Sequence, residues 1–261
     1  MTLFLHEWKQ NSKMFLIWTA VVAGMTFVFM MIYPQMAGQV EEMTDIYANL
    51  GSFSAAFGMD RINFATPLGF YGIEAGAMIS IGGGMLAALL GGGILCKEEG
   101  NHTAELLFTM PHRREALTLW KALAAGTMII AFNLVCVLSG IAAFACIGEE
   151  LLWKEFCLYH TAQLLMQLEI GMLCFCISAF LHRTSMGVGI GVSMTCYFLQ
   201  LFVNITDKAA FLKYVTPYYY ADAANIFPTA SIEWKLVALG MAYGIVAMAA
   251  GVYYYARKDL R

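Results

Sequence analysis

Charge is what this sequence has least of. Only 13% of its 261 residues are Asp, Glu, Lys or Arg, about half the roughly 25% of a soluble chain. That excludes an ordinary soluble domain, and nothing in the chain supports binding of nucleic acid. The net charge of −3 matters less than where the charges sit. Metal chemistry lacks its ligands: the seven cysteines form no CxxC pair and have no histidine partners. Cys174 and Cys176 would point roughly 200° apart on a helix, so the cysteines read as small apolar packing residues. Cys146 and Cys157, flanking one short loop, are the one pair placed for a disulfide. No GxxxxGK[ST] phosphate loop occurs, and "GGGILCKEEG" is not one. A cleaved leader is not expected either, because "MTLFLHEWKQNSKMF" puts charged and amide residues where a signal peptide has an apolar core followed by small residues.

What is present is apolar: 60% of the residues are hydrophobic, in recurring runs long enough to cross about 30 Å of hydrocarbon as helices. The sequence predicts an all-α polytopic membrane protein, a single transmembrane domain over residues 1–261. Its six spans are Phe15–Met36, Phe70–Cys96, Ala122–Ile147, Tyr159–Leu181, Met186–Ile205 and Trp234–Ala256. With the N-terminus inside, ten Lys and Arg residues fall on the inner side against five outside, so both termini are expected in the cytoplasm. Leu3–Phe15 alternates apolar with polar residues and reads either as a helix lying in the inner interface or as a polar lead-in.

Span two carries Gly82, Gly83, Gly84 and Gly91, Gly92, Gly93. Ser80, Gly84, Ala87, Ala88, Gly91 and Gly92 recur at helical spacing, so one face is expected to accept a close helix neighbour. Span four contains "HTAQLLMQLEIGM", with Gln163, Gln167 and Glu169 in one helix and Glu169 near mid-bilayer. A carboxylate there points to a translocation pathway or a polar interior, or to a hydrogen-bonded structural glutamate; the sequence leaves both open. Glu74 reads as wetted by an outer vestibule. An intramembrane enzyme finds little to work with, since His6, His102, His112 and His182 lie outside the spans and His160 stands alone near an outer end. The segment Thr206–Glu233 sets Tyr214, Tyr218, Tyr219, Tyr220 and Phe227 around Pro217 and Pro228. It reads as an interfacial or re-entrant hairpin at headgroup level, or as an aromatic exit gate.

The most polar stretch is "KEEGNHTAELLFTMPHRREALTLWK", between spans two and three. Thr103 can cap a short helix with Glu105 in its first turn and Leu106, Leu107 and Met110 along an apolar edge. Pro111 breaks it and starts a second helix through Arg113, Arg114 and Leu117. This helix, corner and helix resembles the ABC type-2 transporter permease family, at Glu98, Thr103, Glu105, Leu106, Leu107, Pro111, Arg114 and Lys121. "EWKQNSKMFLIW" and "KYVTPYYYADAANIF" are similar to the family's interfacial N-terminal segment and its Pro-aromatic outer stretch, so the resemblance covers essentially the whole chain. His102 departs from the family's usual glycine, and Arg113 from its usual small polar residue.

The resemblance implies a permease subunit of an ATP-binding-cassette exporter in a prokaryotic plasma membrane, not itself an enzyme. The insert would be a cytoplasmic coupling helix, with Glu98, Glu105, Arg113 and Arg114 as polar contacts to an ATPase subunit and Thr103, Leu106, Leu107 and Pro111 shaping it. With no phosphate loop in this chain, ATP and Mg would be bound by that separate partner, in two copies, on a homodimer or related heterodimer of permeases. The substrate would be a peptide or antibiotic, drug, lipid or ion. The rival reading is a stand-alone proton-coupled transporter built on Glu169, which would call for inverted repeats and interrupted helices.

Overall fold

The computed structural model describes residues 2–36, 51–100, 114–183 and 185–258. Among these residues there is no strand, and six helices are long and apolar enough to cross a membrane, with mean hydropathies of 1.6 to 2.4. In chain order the helices are α1 (Thr2–Met36), α2 (Ser52–Ala56), α3 (Pro67–Gly93), α4 (Cys96–Gly100), α5 (Arg114–Ile147), α6 (Trp153–Phe180), α7 (Met186–Ile205), α8 (Ala223–Ile226) and α9 (Trp234–Arg257). A 3-10 stretch, Asp207–Tyr214, precedes α8. Because the six long helices alternate in direction, both described chain ends lie at one end of the bundle, the terminal end. The segments after α1, α5 and α7 lie at the other, the far end.

Four spans begin earlier than the apolar runs that announce them, α1 and α5 by the most. α1 is one helix from Thr2, because no Gly or Pro interrupts Leu3–Phe15, so the polar N-terminal segment continues span one without a break. Its 35 residues reach about 52 Å, well beyond the hydrocarbon. α5 likewise takes in Arg114, Glu115 and Lys121. The coupling-helix residues Thr103, Glu105, Leu106, Leu107, Pro111 and Arg113 lie outside the described residues.

α3 starts where Pro67 occupies the first turn and Thr66 Oγ1 accepts from the Gly69 N–H at 3.1 Å, a capped start that needs no proline N–H. One widened π turn follows at Tyr71–Ala75. Neighbours fit into it. The Tyr159 hydroxyl donates to the Gly76 carbonyl at 3.0 Å, and the Phe227 ring occupies the space a side chain on Gly72 would need.

α3 and α6 form the centre. Over half of their apolar windows is buried, against 17% for α7. α3 packs on α1, α5, α6 and α7, while α6 carries α9 on its other side. The glycines of α3 therefore serve three neighbours, not one face. A Cβ on Gly82 would meet Val22 of α1, one on Gly83 would meet Gln167 of α6, and one on Gly84 would meet the Tyr218 hydroxyl and Ser193 of α7. The reason is geometric: consecutive helical residues are about 100° apart, so a glycine triplet opens three directions. Two turns or more further on, Gly91 abuts the Gly171 carbonyl of α6, and Gly92 lies under Gly189 of α7.

Candidate functional site

At the terminal end, α3 stops at Gly93 and the chain turns at Ile94 and Leu95 before α4. Such a break strands backbone groups that apolar surroundings would leave unpaired. Other helices supply the partners. Ser178 Oγ of α6 accepts from the Leu95 and Cys96 N–H groups at 3.1 and 3.2 Å. Tyr255 of α9 donates to the Leu95 carbonyl at 3.2 Å, and Lys121 of α5 to that of Ile94 at 3.2 Å.

The next three residues, Lys97, Glu98 and Glu99, are all charged and all tied to other helices. Lys97 donates to Glu7 of α1 and to Gln10 Oε1. Lys121, only 1% exposed, donates to Glu7 Oε1 at 2.8 Å and Glu98 Oε1 at 2.7 Å. With the Ile94 carbonyl, that satisfies all three ammonium protons. Glu99 meets Lys258 at 2.9 Å and His182 Nδ1 at 3.0 Å. Lys258 also donates to the Ala179 and Leu181 carbonyls, capping the C-terminal end of α6 where a cation is favoured. Arg114 reaches the Lys258 carbonyl at 3.3 Å. Burial pushes the Lys97 ammonium below its ordinary pKa, an effect Glu7 opposes. Residues 94–100, which include the start of the polar insert, are thus bonded to α1, α5, α6 and α9.

In the bundle interior, Gln163, Gln167 and Glu169 do not share one lining. Gln163 and Gln167, one turn apart, face α3: Gln163 Nε2 donates to Ser80 Oγ at 2.6 Å and the Ala221 carbonyl at 2.9 Å, while the fully buried Gln167 amide packs on Gly83. Glu169 turns to the other side, where it fills the space left by Gly240 of α9 and accepts from Tyr220 at 2.8 Å. His160 near the far end pairs with the Tyr71 hydroxyl at 2.8 Å.

The tyrosines on either side of Pro217 divide between interior and surface. Tyr218 and Tyr220 are buried, whereas Tyr214 is exposed. Tyr218 meets Ser193 of α7 at 2.8 Å over Gly84, and Thr216 donates to the Cys196 carbonyl at 2.6 Å. Residues 216–222 therefore plug the far end between α3, α6 and α7, leaving above Ser80 a cleft of about 40 Å³ lined by Tyr159, Tyr197, Tyr218 and Asp222. Asp222 holds the plug in place. Its carboxylate accepts from Gln200 at 2.7 Å, Asn204 at 3.0 Å and the Ala224 N–H at 3.0 Å, with Arg61 4.0 Å away. Burial pushes its carboxyl above the ordinary range, against those hydrogen bonds and the Arg61 charge.

Sequence reasoning did not single out Glu7, Lys97, Glu99 and Lys258. The signal was available: acidic and basic residues stand at matching depth at the terminal ends of four spans, and opposite charges at one depth of a bundle find each other. Cys146 and Cys157 are both free thiols. Among the described residues, no group of three or more His, Cys, Asp or Glu side chains is placed to hold a metal ion.

A protein-family model described as "ABC-2 family transporter protein" matches residues 1–260. Comparison with individual curated proteins finds no match.

Proposed function

Since the chain belongs to the ABC-2 family of transporter proteins, we propose that it is the transmembrane permease subunit of an ATP-binding-cassette exporter, driven by a separate ATPase subunit. ATP and Mg belong to that partner, in two copies, beneath a pair of permeases. The terminal end faces the cytoplasm of a prokaryotic cell, and the substrate leaves through the far end.

The observation that carries this reading is the junction at residues 94–100. An ATPase closing on the insert displaces Thr103–Lys121, and that segment is held between two bonded points, Glu98 before it and Lys121 at its end. Glu7, Lys97, Glu99 and Lys258 pass the displacement to α1, α6 and α9 as a rigid network. Glu98 is then a transmitting residue whose Oε1 is committed to Lys121, while the docking contacts fall to the insert itself. At the far end, tilting α3 against α7 parts Tyr218 from Ser193 and withdraws the plug.

The test is affinity purification from the native membrane in mild detergent, with mass spectrometry and an ATPase assay on the eluate. A stoichiometric partner carrying a phosphate loop, with vanadate-sensitive hydrolysis, is expected. An eluate without such a partner, repeated after crosslinking, would overturn the proposal.

A further inference from the structure

Lys97 serves a second feature besides the junction. Toward the far end, α7 is pinned on α3 where Gly189 lies 2.9 Å, measured from its ideal Cβ position, from the Ala88 carbonyl. α1 is pinned on α3 by Trp18, which donates to the Gly82 carbonyl at 2.7 Å. Toward the terminal end α3 carries Gly92 and Gly93, with no side chains to fill the space between its two neighbours. A groove of about 140 Å³ results, more than three times the far-end cleft. Its floor and walls are apolar: Ala88, Leu89, Gly92, Met14 and Met186.

Its mouth is polar and carries one cation, paired on its inner side with Glu7. Lys97, Asn11 and Ser185 stand there, at the level where α3 ends and α7 begins. Two of the Lys97 donor positions go to Glu7 and Gln10, which leaves the third of an ammonium's three protons for a ligand at the mouth. The Ser185 hydroxyl makes no cap bond to the start of α7. An apolar trough between membrane helices, with a cation and hydroxyl at one end, matches a lipid in both its parts.

We infer that this groove binds a membrane phospholipid with an acidic headgroup, its acyl chain along Leu89, Gly92 and Met14 and its phosphate at Lys97 and Ser185. The site is independent of what the protein transports. Where the junction does transmit force, a phosphate on the third Lys97 proton shares the ammonium's charge with Glu7, so the lipid would weaken one link of that network.

The full chain, purified in mild detergent, is titrated with dioleoyl phosphatidylglycerol and dioleoyl phosphatidylcholine, and retained lipid is counted by native mass spectrometry. Phosphatidylglycerol should be held in preference. Lys97→Gln should cut that preference about fivefold, the factor for one lysine against an anionic headgroup, and Lys97→Arg should restore it. Leu89→Trp, filling the trough, should reduce retention of both lipids while Lys97 is intact. Equal retention of the two lipids by the native chain would overturn the inference. So would displacement of phosphatidylglycerol by inorganic phosphate alone, which would make the site one for a soluble anion.

Discussion

At the scale of single residues, Glu7 is the most exposed to test. Its carboxylate is fully buried and faces Lys97 and Lys121. Removing one partner of a buried ion pair leaves the other charge uncompensated, at a cost of about 3–5 kcal/mol. Glu7→Leu should therefore lower the melting temperature in detergent sharply. The double variant Glu7→Leu with Lys121→Met removes the pair together but strands the Glu98 carboxylate and the Ile94 carbonyl that Lys121 also serves, so it should recover part of the loss, not all of it. If the junction transmits force, that double variant, though folded, should hydrolyse ATP with its partner without transporting. Melting no better than the single variant would show that the two residues are not coupled.

Asp222 gives the opposite kind of prediction, one of pH. Its native pKa is raised by burial, so its contribution to stability is present below about pH 4, the ordinary carboxylate value. That contribution is lost as pH rises through the raised native value. Asp222→Asn has no such slope and should gain in melting temperature relative to the native chain as pH is raised. A variant that loses ground over that range would contradict the burial argument.

At the scale of elements, two glycines one residue apart separate helix contacts that sequence alone runs together. A Cβ on Gly91 would run into the Gly171 carbonyl, which is backbone and cannot step aside. On Gly92 it would sit 3.8 Å from Gly189 Cα, an ordinary contact. Gly91→Ala should cost about 1–3 kcal/mol as overpacking, while Gly92→Ala should be neutral or gain up to about 1 kcal/mol from helix propensity. Melting curves of the two variants decide it, and equal losses would show that α3 meets α6 and α7 alike.

The spans themselves were legible, because length and apolarity dictate a membrane helix one segment at a time. So was the identity of the family, through the motif around Glu98, Pro111 and Lys121. Contacts between segments were not. The glycine spacing in α3 is compatible with one neighbour or three, and only the packed bundle says which. The tyrosines after Pro217 suit a headgroup belt as well as an interior plug. Tyr218 and Tyr220 go inside because Ser193, Glu169 and Gly84, all remote in sequence, offer their hydroxyls partners and room.

At the scale of the whole molecule, the alternating helices place Cys146 and Cys157 at the far end and leave both exposed. Cys96, Cys136 and Cys174 are buried, and Cys176 and Cys196 are partly covered. The native cysteines therefore report orientation without engineering. With the basic residues concentrated at the terminal end, the far end is expected outside the cell. A membrane-impermeant maleimide added to intact cells should label the chain, and Cys146→Ala with Cys157→Ala should abolish that labelling. The same reagent on inverted vesicles should leave both cysteines unlabelled. Labelling of Cys146 and Cys157 only in inverted vesicles would place the terminal end outside. The polar insert would then face away from ATP, and a cytoplasmic ATPase could not drive the junction at residues 94–100.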